Sequence, residues 1–179
     1  MVYMLLGTGF EETEAIVPLD LLRRAGVEVL TVGINGKTIY GGHNIGIEAD
    51  ITLDEMDLTN VEMVVIPGGL GGVASIRASQ PAMDALKFAF ENGKFVAAIC
   101  AGPTVLADLG ITDGKNATCY PGCDSQMGSA NMVCAAAVTD GKLITGTSAG
   151  CAIPFGLELI AALKGRSEAD RIAEQIVIR

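Results

Sequence analysis

The sequence predicts an α/β fold: a flavodoxin-like, doubly wound α/β/α sandwich with a mostly parallel sheet. Three observations predict it. The apolar runs VYMLL, MVVI and FVAAI are continuous rather than alternating, the pattern of parallel strands covered on both faces. Segments with helical apolar spacing fall between these runs. Half of the residues are hydrophobic, 23 are glycine and none is tryptophan, which suits small aliphatic side chains packed between layers. A chain of 179 residues is long enough for one domain with a continuous core and short for two, so 1–179 is read as a single domain.

The elements follow in order. Residues 2–6 form a first strand ending at Gly7, and the polar loop TGFEET leads into the helix EAIVPLDLLRRAG, where Ile16, Leu19 and Leu22 recur at helical spacing and Gly26 closes the segment. VEVLTVG is a second strand. TIYGGHNIGIEAD alternates around paired glycines, as in a small hairpin or an extension of the sheet edge. MVVIPGG is a third buried strand ending in a glycine turn. SQPAMDALKFAFENG has Pro81 in its first turn and Gly93 after its end, the marks of a helix. FVAAIC is the fourth strand and AGPTVLADLG a short helix. NMVCAAAVTDGKLITG holds two strands joined at Asp140-Gly141, and CAIPFGLELIAALKG and SEADRIAEQIVI are closing helices.

Charge and cysteine usage exclude several functions. A net charge of −9 provides no basic footprint, so nucleic acid is not an expected partner. No run approaches the roughly 18–20 apolar residues of a membrane span, and MVYMLLGTGF lacks a basic leader; a cytoplasmic protein without membrane contact is expected. Five cysteines, at 100, 119, 123, 134 and 151, form no disulfide framework and read as reduced thiols. Cys119 and Cys123 stand four apart, but His43 is the only histidine and no second close pair completes a site, so no metal is expected.

Cys100 stands where the fourth strand turns into a helix through Ala101, Gly102 and Pro103. A residue at such a bend is held out at the sheet edge, the elbow logic of serine nucleophiles. A thiol at a helix N-terminus feels the positive dipole end and unpaired amides, so its pKa is expected to be lowered. A small buried hydrophobe is the competing use of the same residue. In doubly wound sheets ligands gather beyond the carboxyl ends of the strands, which brings the Glu-rich loop after the first strand and the glycine turn after the third to the same edge as Cys100. Spacing does not choose among Glu11, Glu12 and Glu14, since acids near a helix start are favoured in any case.

The segments AAICAGPTVL, GFEETEAIVPLDLLRRAG and VVIPGG together closely resemble the ThiJ/PfpI superfamily, in the branch of the parkinsonism-associated protein deglycase, over essentially the whole chain. The resemblance implies a flavodoxin-like sandwich, a homodimer, and a redox-sensitive cysteine at the elbow, here Cys100. It places on Glu14 a protonated carboxyl that hydrogen-bonds to the sulfur. The turn Gly68-Gly69 and the amide of Ala101 would form an anion pocket. Many members carry a histidine beside the cysteine, just ahead of a proline; here that position is Tyr120. A phenol with a pKa of about 10 cannot act as a base near neutrality, though it can donate a hydrogen bond. His43 falls near a position that is often basic in relatives and close to a dimer interface, and Arg24 is a candidate interface residue; a surface histidine and a solvated helix-end arginine are the plain alternatives.

The implied function is a cofactor-independent cysteine enzyme acting on α-oxoaldehydes such as methylglyoxal and glyoxal, or on their early protein adducts, through Cys100 and Glu14. The alternative is a redox sensor or stress chaperone in which Cys100 is oxidised to sulfinic acid. A cysteine amidase or protease ranks last, because no histidine follows Cys100.

Overall fold

The continuous apolar runs become the central strands, and the chain alternates between strand and helix. The computed structural model describes residues 1–178. β1 (Val2–Leu6) is followed by α1 (Glu12–Arg24), β2 (Val29–Gly33), β3 (Thr38–Tyr40), β4 (Gly46–Glu48) and β5 (Ile51–Thr52). Then come β6 (Met63–Ile66), α2 (Leu70–Ala78), α3 (Gln80–Glu91), β7 (Phe95–Ile99) and α4 (Pro103–Asp108). β8 (Asn116–Ala117), β9 (Asn131–Met132), β10 (Ala137–Asp140), β11 (Leu143–Gly146), α5 (Ala152–Lys164) and α6 (Arg166–Gln175) complete the described chain.

The main sheet runs β10-β11-β7-β6-β1-β2-β5. Every pair in it is parallel except β10 with β11, so the mostly parallel α/β sandwich expected from the sequence is what forms. Alternate residues of each strand point to opposite faces. Met4, Leu6, Val65, Ile99 and Ile144 pack with Leu22, Phe155 and Ile172 on the side of α1, α5 and α6. Leu5, Val64, Ile66, Val96 and Leu143 pack with Val73, Leu86 and Val105 on the side of α2, α3 and α4. Both faces are therefore apolar, which is why these strands show no alternation in the sequence.

Two features differ from the sequence reading, and one choice that it left open is settled. α2 was not anticipated: LGGVASIRA carries two glycines, which read as turn residues, but Val73 and Ile76 are buried and tertiary packing outweighs the poor propensity. Of the two readings for TIYGGHNIGIEAD, the small hairpin forms, β3 with β4, and the sheet edge is extended by β5 instead. Asn131 and Met132 do not begin the strand leading to Asp140; they pair in parallel with β8. The carboxyl ends of β1, β6 and β7 lie side by side, at the point where the chain's connections diverge to opposite faces of the sheet.

Candidate active site

Cys100 has φ +66, a left-handed conformation that costs a non-glycine residue roughly 1–2 kcal/mol. Its backbone is pinned on both sides. The Cys100 amide donates to the Gly146 carbonyl at 3.0 Å, and its carbonyl accepts the Tyr120 amide at 2.8 Å. Gly102 makes the bend possible, because a Cβ there would stand 2.9 Å from the Ile99 carbonyl oxygen and 3.1 Å from that of Ile66. Pro103 then opens α4, where its missing N–H costs nothing.

Glu14 arrives from the first turn of α1 and is 1 % exposed. Its Oε2 accepts the Gly68 amide at 2.8 Å, while Oε1 is buried without a hydrogen-bond partner. A Cβ on Gly68 would overlap Glu14 Oε2 and stand 2.6 Å from Cys100 Cβ. Only glycine leaves room for the carboxyl and the thiol on either side of this turn. Gly69, at φ +88, brings the turn against the loop after β1, where the Glu11 amide donates to the Gly68 carbonyl at 2.9 Å.

The two glycines divide their tasks. The Gly68 amide serves the carboxylate, whereas the amides of Gly69 and Ala101 act to lower the Cys100 pKa. Burial raises the Glu14 carboxyl from its ordinary range to about 7, against the opposing pull of the neighbouring Cys100 thiol and the Gly68 amide. Burial, followed by the Glu14 carboxylate, pushes the Cys100 thiol up to about 12. The lowered thiol pKa expected at a helix start is thus overturned. α4 spans only six residues, and desolvation with a neighbouring carboxylate outweighs its dipole and the two amides.

The three glutamates of the loop separate in space. Glu12, indistinguishable in sequence from an ordinary helix-start acid, is 6 % exposed. It holds the β3–β4 hairpin: Oε1 accepts the His43 amide at 2.8 Å and Oε2 meets His43 Nδ1 at 2.9 Å. This bond to Glu12 raises the pKa of the exposed His43 ring. A Cβ on Gly41 would collide with the Glu12 carboxyl, so glycine at this position is what lets the hairpin close on this acid.

His43 is therefore engaged with Glu12, with Glu11 Oε1 at 3.7 Å, on the hairpin rather than against Cys100. Tyr120 touches the site through its backbone, and its side chain is exposed. Arg24 lies apart, paired with Asp20 at 2.6 Å on the outer side of α1. Among the described residues, Glu11, Glu12 and His43 are the one group of three ligand-type side chains with atoms within 4.8 Å of one another, and both Glu12 oxygens are already committed to His43. Cys119 and Cys123 join no such group.

The fold and this edge define a class: a doubly wound α/β protein with a strained cysteine at the strand-to-helix elbow and a buried carboxyl beside it. The chain belongs to the DJ-1/PfpI family, whose model matches residues 1–162. It is 34% identical to Protein dj-1beta of Drosophila melanogaster over 178 residues, 98% of this chain and 95% of the relative. The crystal structure of that protein superposes with a TM-score of 0.93, covering 99% of this chain and 97% of the other. A protein named deglycase from Pyrococcus abyssi is 31% identical over 165 residues, 91% of this chain and 99% of the relative. The structure described as Toxoplasma gondii DJ-1, oxidized, is 30% identical with a TM-score of 0.94, covering 98% of this chain and 97% of that one. The likeness to DJ-1 proteins covers 98% of this chain, and no described helix is long and apolar enough to cross a membrane.

Proposed function

We propose that the protein is a cofactor-independent enzyme that converts α-oxoaldehydes to hydroxy acids, or removes them from early protein adducts, with Cys100 as nucleophile and Glu14 as proton shuttle. One observation carries this: a buried carboxyl with a free oxygen and a pKa of about 7 stands beside the elbow thiol. Such a group can both take and give a proton at neutral pH. Membership in a family with a deglycase-named relative supports the substrate class.

In the reaction, the thiolate adds to the aldehyde carbon of methylglyoxal, and the oxygen takes the proton of the Glu14 carboxyl to give a hemithioacetal, leaving Glu14 as carboxylate. While Glu14 is ionised the thiol holds its proton; as Glu14 takes a proton, the repulsion ends and the carboxyl becomes a donor to sulfur. Glu14 as carboxylate removes the proton on the former aldehyde carbon, forming an enediol, and returns it to the adjacent carbon. The product of that transfer is a thioester of lactate on Cys100. Water hydrolyses it, releasing lactate and the thiol. The amides of Gly69 and Ala101 suit the negative charge that develops near the sulfur. Neither Tyr120 nor His43 is required for these steps.

The proposal includes a cytoplasmic homodimer. Ile16, Ile153, Val177 and Ile178 leave an exposed apolar face around α1 and the chain after α6, with Arg24 and Asp20 at its edge, a surface that a second copy would cover. A second reading, a redox sensor, is favoured by the oxidised state of the Toxoplasma relative: the same amides and Glu14 would hold the oxygens of a Cys100 sulfinate.

The test is lactate formation from methylglyoxal by wild type, Cys100→Ser and Glu14→Gln, followed by intact mass after graded peroxide. Turnover in wild type that both substitutions abolish is expected. If wild type makes no lactate while Cys100 gains two oxygens in a Glu14-dependent manner, the protein is a sensor and the enzyme role fails.

A further inference from the structure

A second group of thiols lies away from Cys100. Cys119, Cys134 and Cys151 line one cavity of about 480 Å³, together with Thr118, Val133 and Thr147, and Cys100 is not among its walls. The ladder between β10 and β11 brings them there. Ala137 pairs with Gly146, and beyond it the Thr147 amide donates to the Ala136 carbonyl at 3.1 Å while the Thr147 hydroxyl donates to the Ala135 carbonyl. Cys134 is the next residue along that segment. On the other side the chain folds back through a tight turn, the Cys151 amide donating to the Ser148 carbonyl at 2.7 Å, so that Cys151 returns to the same cavity just before α5.

The three thiols are not equivalent. Cys119 is buried, and burial pushes it up to about 11, which removes it from thiolate chemistry near neutrality. Cys134 is exposed and Cys151 is half-buried. One thiol is thus open to a solvent-borne oxidant and a second, less exposed, lines the same cavity, the pairing that an attacked and a resolving cysteine need.

We propose that Cys134 and Cys151 form a second redox-active site, a dithiol that a hydroperoxide oxidises to a disulfide independently of Cys100. The Cys134 thiolate attacks the distal peroxide oxygen, the O–O bond breaks, and the leaving alkoxide departs as an alcohol, or as water from hydrogen peroxide, leaving a sulfenic acid. Cys151 sulfur then attacks the Cys134 sulfur. The S–S bond forms, the S–O bond breaks, and the oxygen leaves as water with the Cys151 proton. Two electrons pass from the thiols to the peroxide. The bridge ties the segment before β10 to the start of α5 across the cavity. Tyr120, whose amide is bonded to the Cys100 carbonyl, directly follows Cys119 on the wall of the same cavity.

The experiment uses the full chain carrying Cys100→Ser, so that the fate of the enzyme and sensor roles of Cys100 does not bear on the result. The protein is treated with cumene hydroperoxide, the remaining thiols are alkylated, and it is digested with trypsin without reduction. Cleavage after Lys115, Lys142 and Lys164 separates Cys134 on peptide 116–142 from Cys151 on peptide 143–164. A loss of about 2 Da in intact protein, with these two peptides linked and the link reversed by dithiothreitol, is the expected result. Cys134→Ser and Cys151→Ser should each abolish the link, and Cys119→Ser and Cys123→Ser should not. Alkylating the exposed Cys134 with N-ethylmaleimide before oxidation must also prevent it, a check that needs no further variant to fold. Absence of the link at peroxide levels that oxidise Cys100 in wild type, or its persistence in Cys134→Ser, overturns the proposal.

Discussion

Glu14 Oε2 accepts the Gly68 amide at 2.8 Å while its other oxygen, buried, accepts nothing. A buried acceptor left without a donor costs about 1–3 kcal/mol, and protonating it removes much of that cost. This is the same physics that lifts the Glu14 pKa to about 7.

The lifted pKa has a consequence for stability. The folded state holds the Glu14 proton more tightly than the unfolded chain does, so this group favours folding fully below its ordinary pKa of about 4.5 and loses that contribution as pH rises through about 7. Glu14→Gln cannot titrate. In melts from about pH 5 to about pH 8, the melting temperature of wild type should fall relative to Glu14→Gln; taking the difference cancels the titration of His43. Parallel curves would show that Glu14 titrates in its ordinary range.

Gly68 is required by contact and not by backbone conformation, since its φ is not positive. Gly68→Ala would press a methyl into Glu14 and Cys100 and should cost about 1–3 kcal/mol in urea denaturation while abolishing lactate formation. Gly93→Ala provides the contrast. Gly93 has φ +69 with nothing within 4 Å of its would-be Cβ, so the expected loss is about 1 kcal/mol from backbone strain with turnover intact.

The elbow itself stores strain. Cys100→Gly relieves the left-handed conformation and is expected to stay within about 1 kcal/mol of wild type despite losing a side chain. Cys100→Val, β-branched at φ +66, should fall at least about 2 kcal/mol below it. Chemical denaturation of the two variants checks this order, and equal stabilities would remove strain from the description of the bend.

Glu12 anchors the hairpin. Glu12→Ala frees the His43 amide and ring and should destabilise by about 1–3 kcal/mol, with hydrogen exchange accelerating at His43 and within β3–β4 and not in β7. Unchanged exchange at His43 would mean that the hairpin is held by its backbone bonds to the loop after β1 alone.

The fold was legible because its strands are buried on both faces, which makes VYMLL, MVVI and FVAAI continuous apolar runs bounded by glycine. Cys100 was legible for a similar reason: Ala101, Gly102 and Pro103 mark a bend at any strand end. α2 escaped notice because Gly71 and Gly72 are there for close approach to the loop after β1, and in sequence they look like a turn. The roles of Glu11, Glu12 and Glu14 were not separable, since all three suit a helix start and only tertiary packing decides which is desolvated. The direction of the Cys100 shift was misjudged because the dipole of a six-residue helix is visible in sequence and burial is not.

The central claim is that Glu14 changes protonation near neutrality beside Cys100. The most direct test is a carbon-13 NMR titration of protein labelled at the glutamate side-chain carboxyl, with the Glu14 resonance assigned by its loss in Glu14→Gln. A midpoint near 7 that moves in Cys100→Ser is the expected result. A Glu14 midpoint near 4.5, unmoved by removing the thiol, would contradict it.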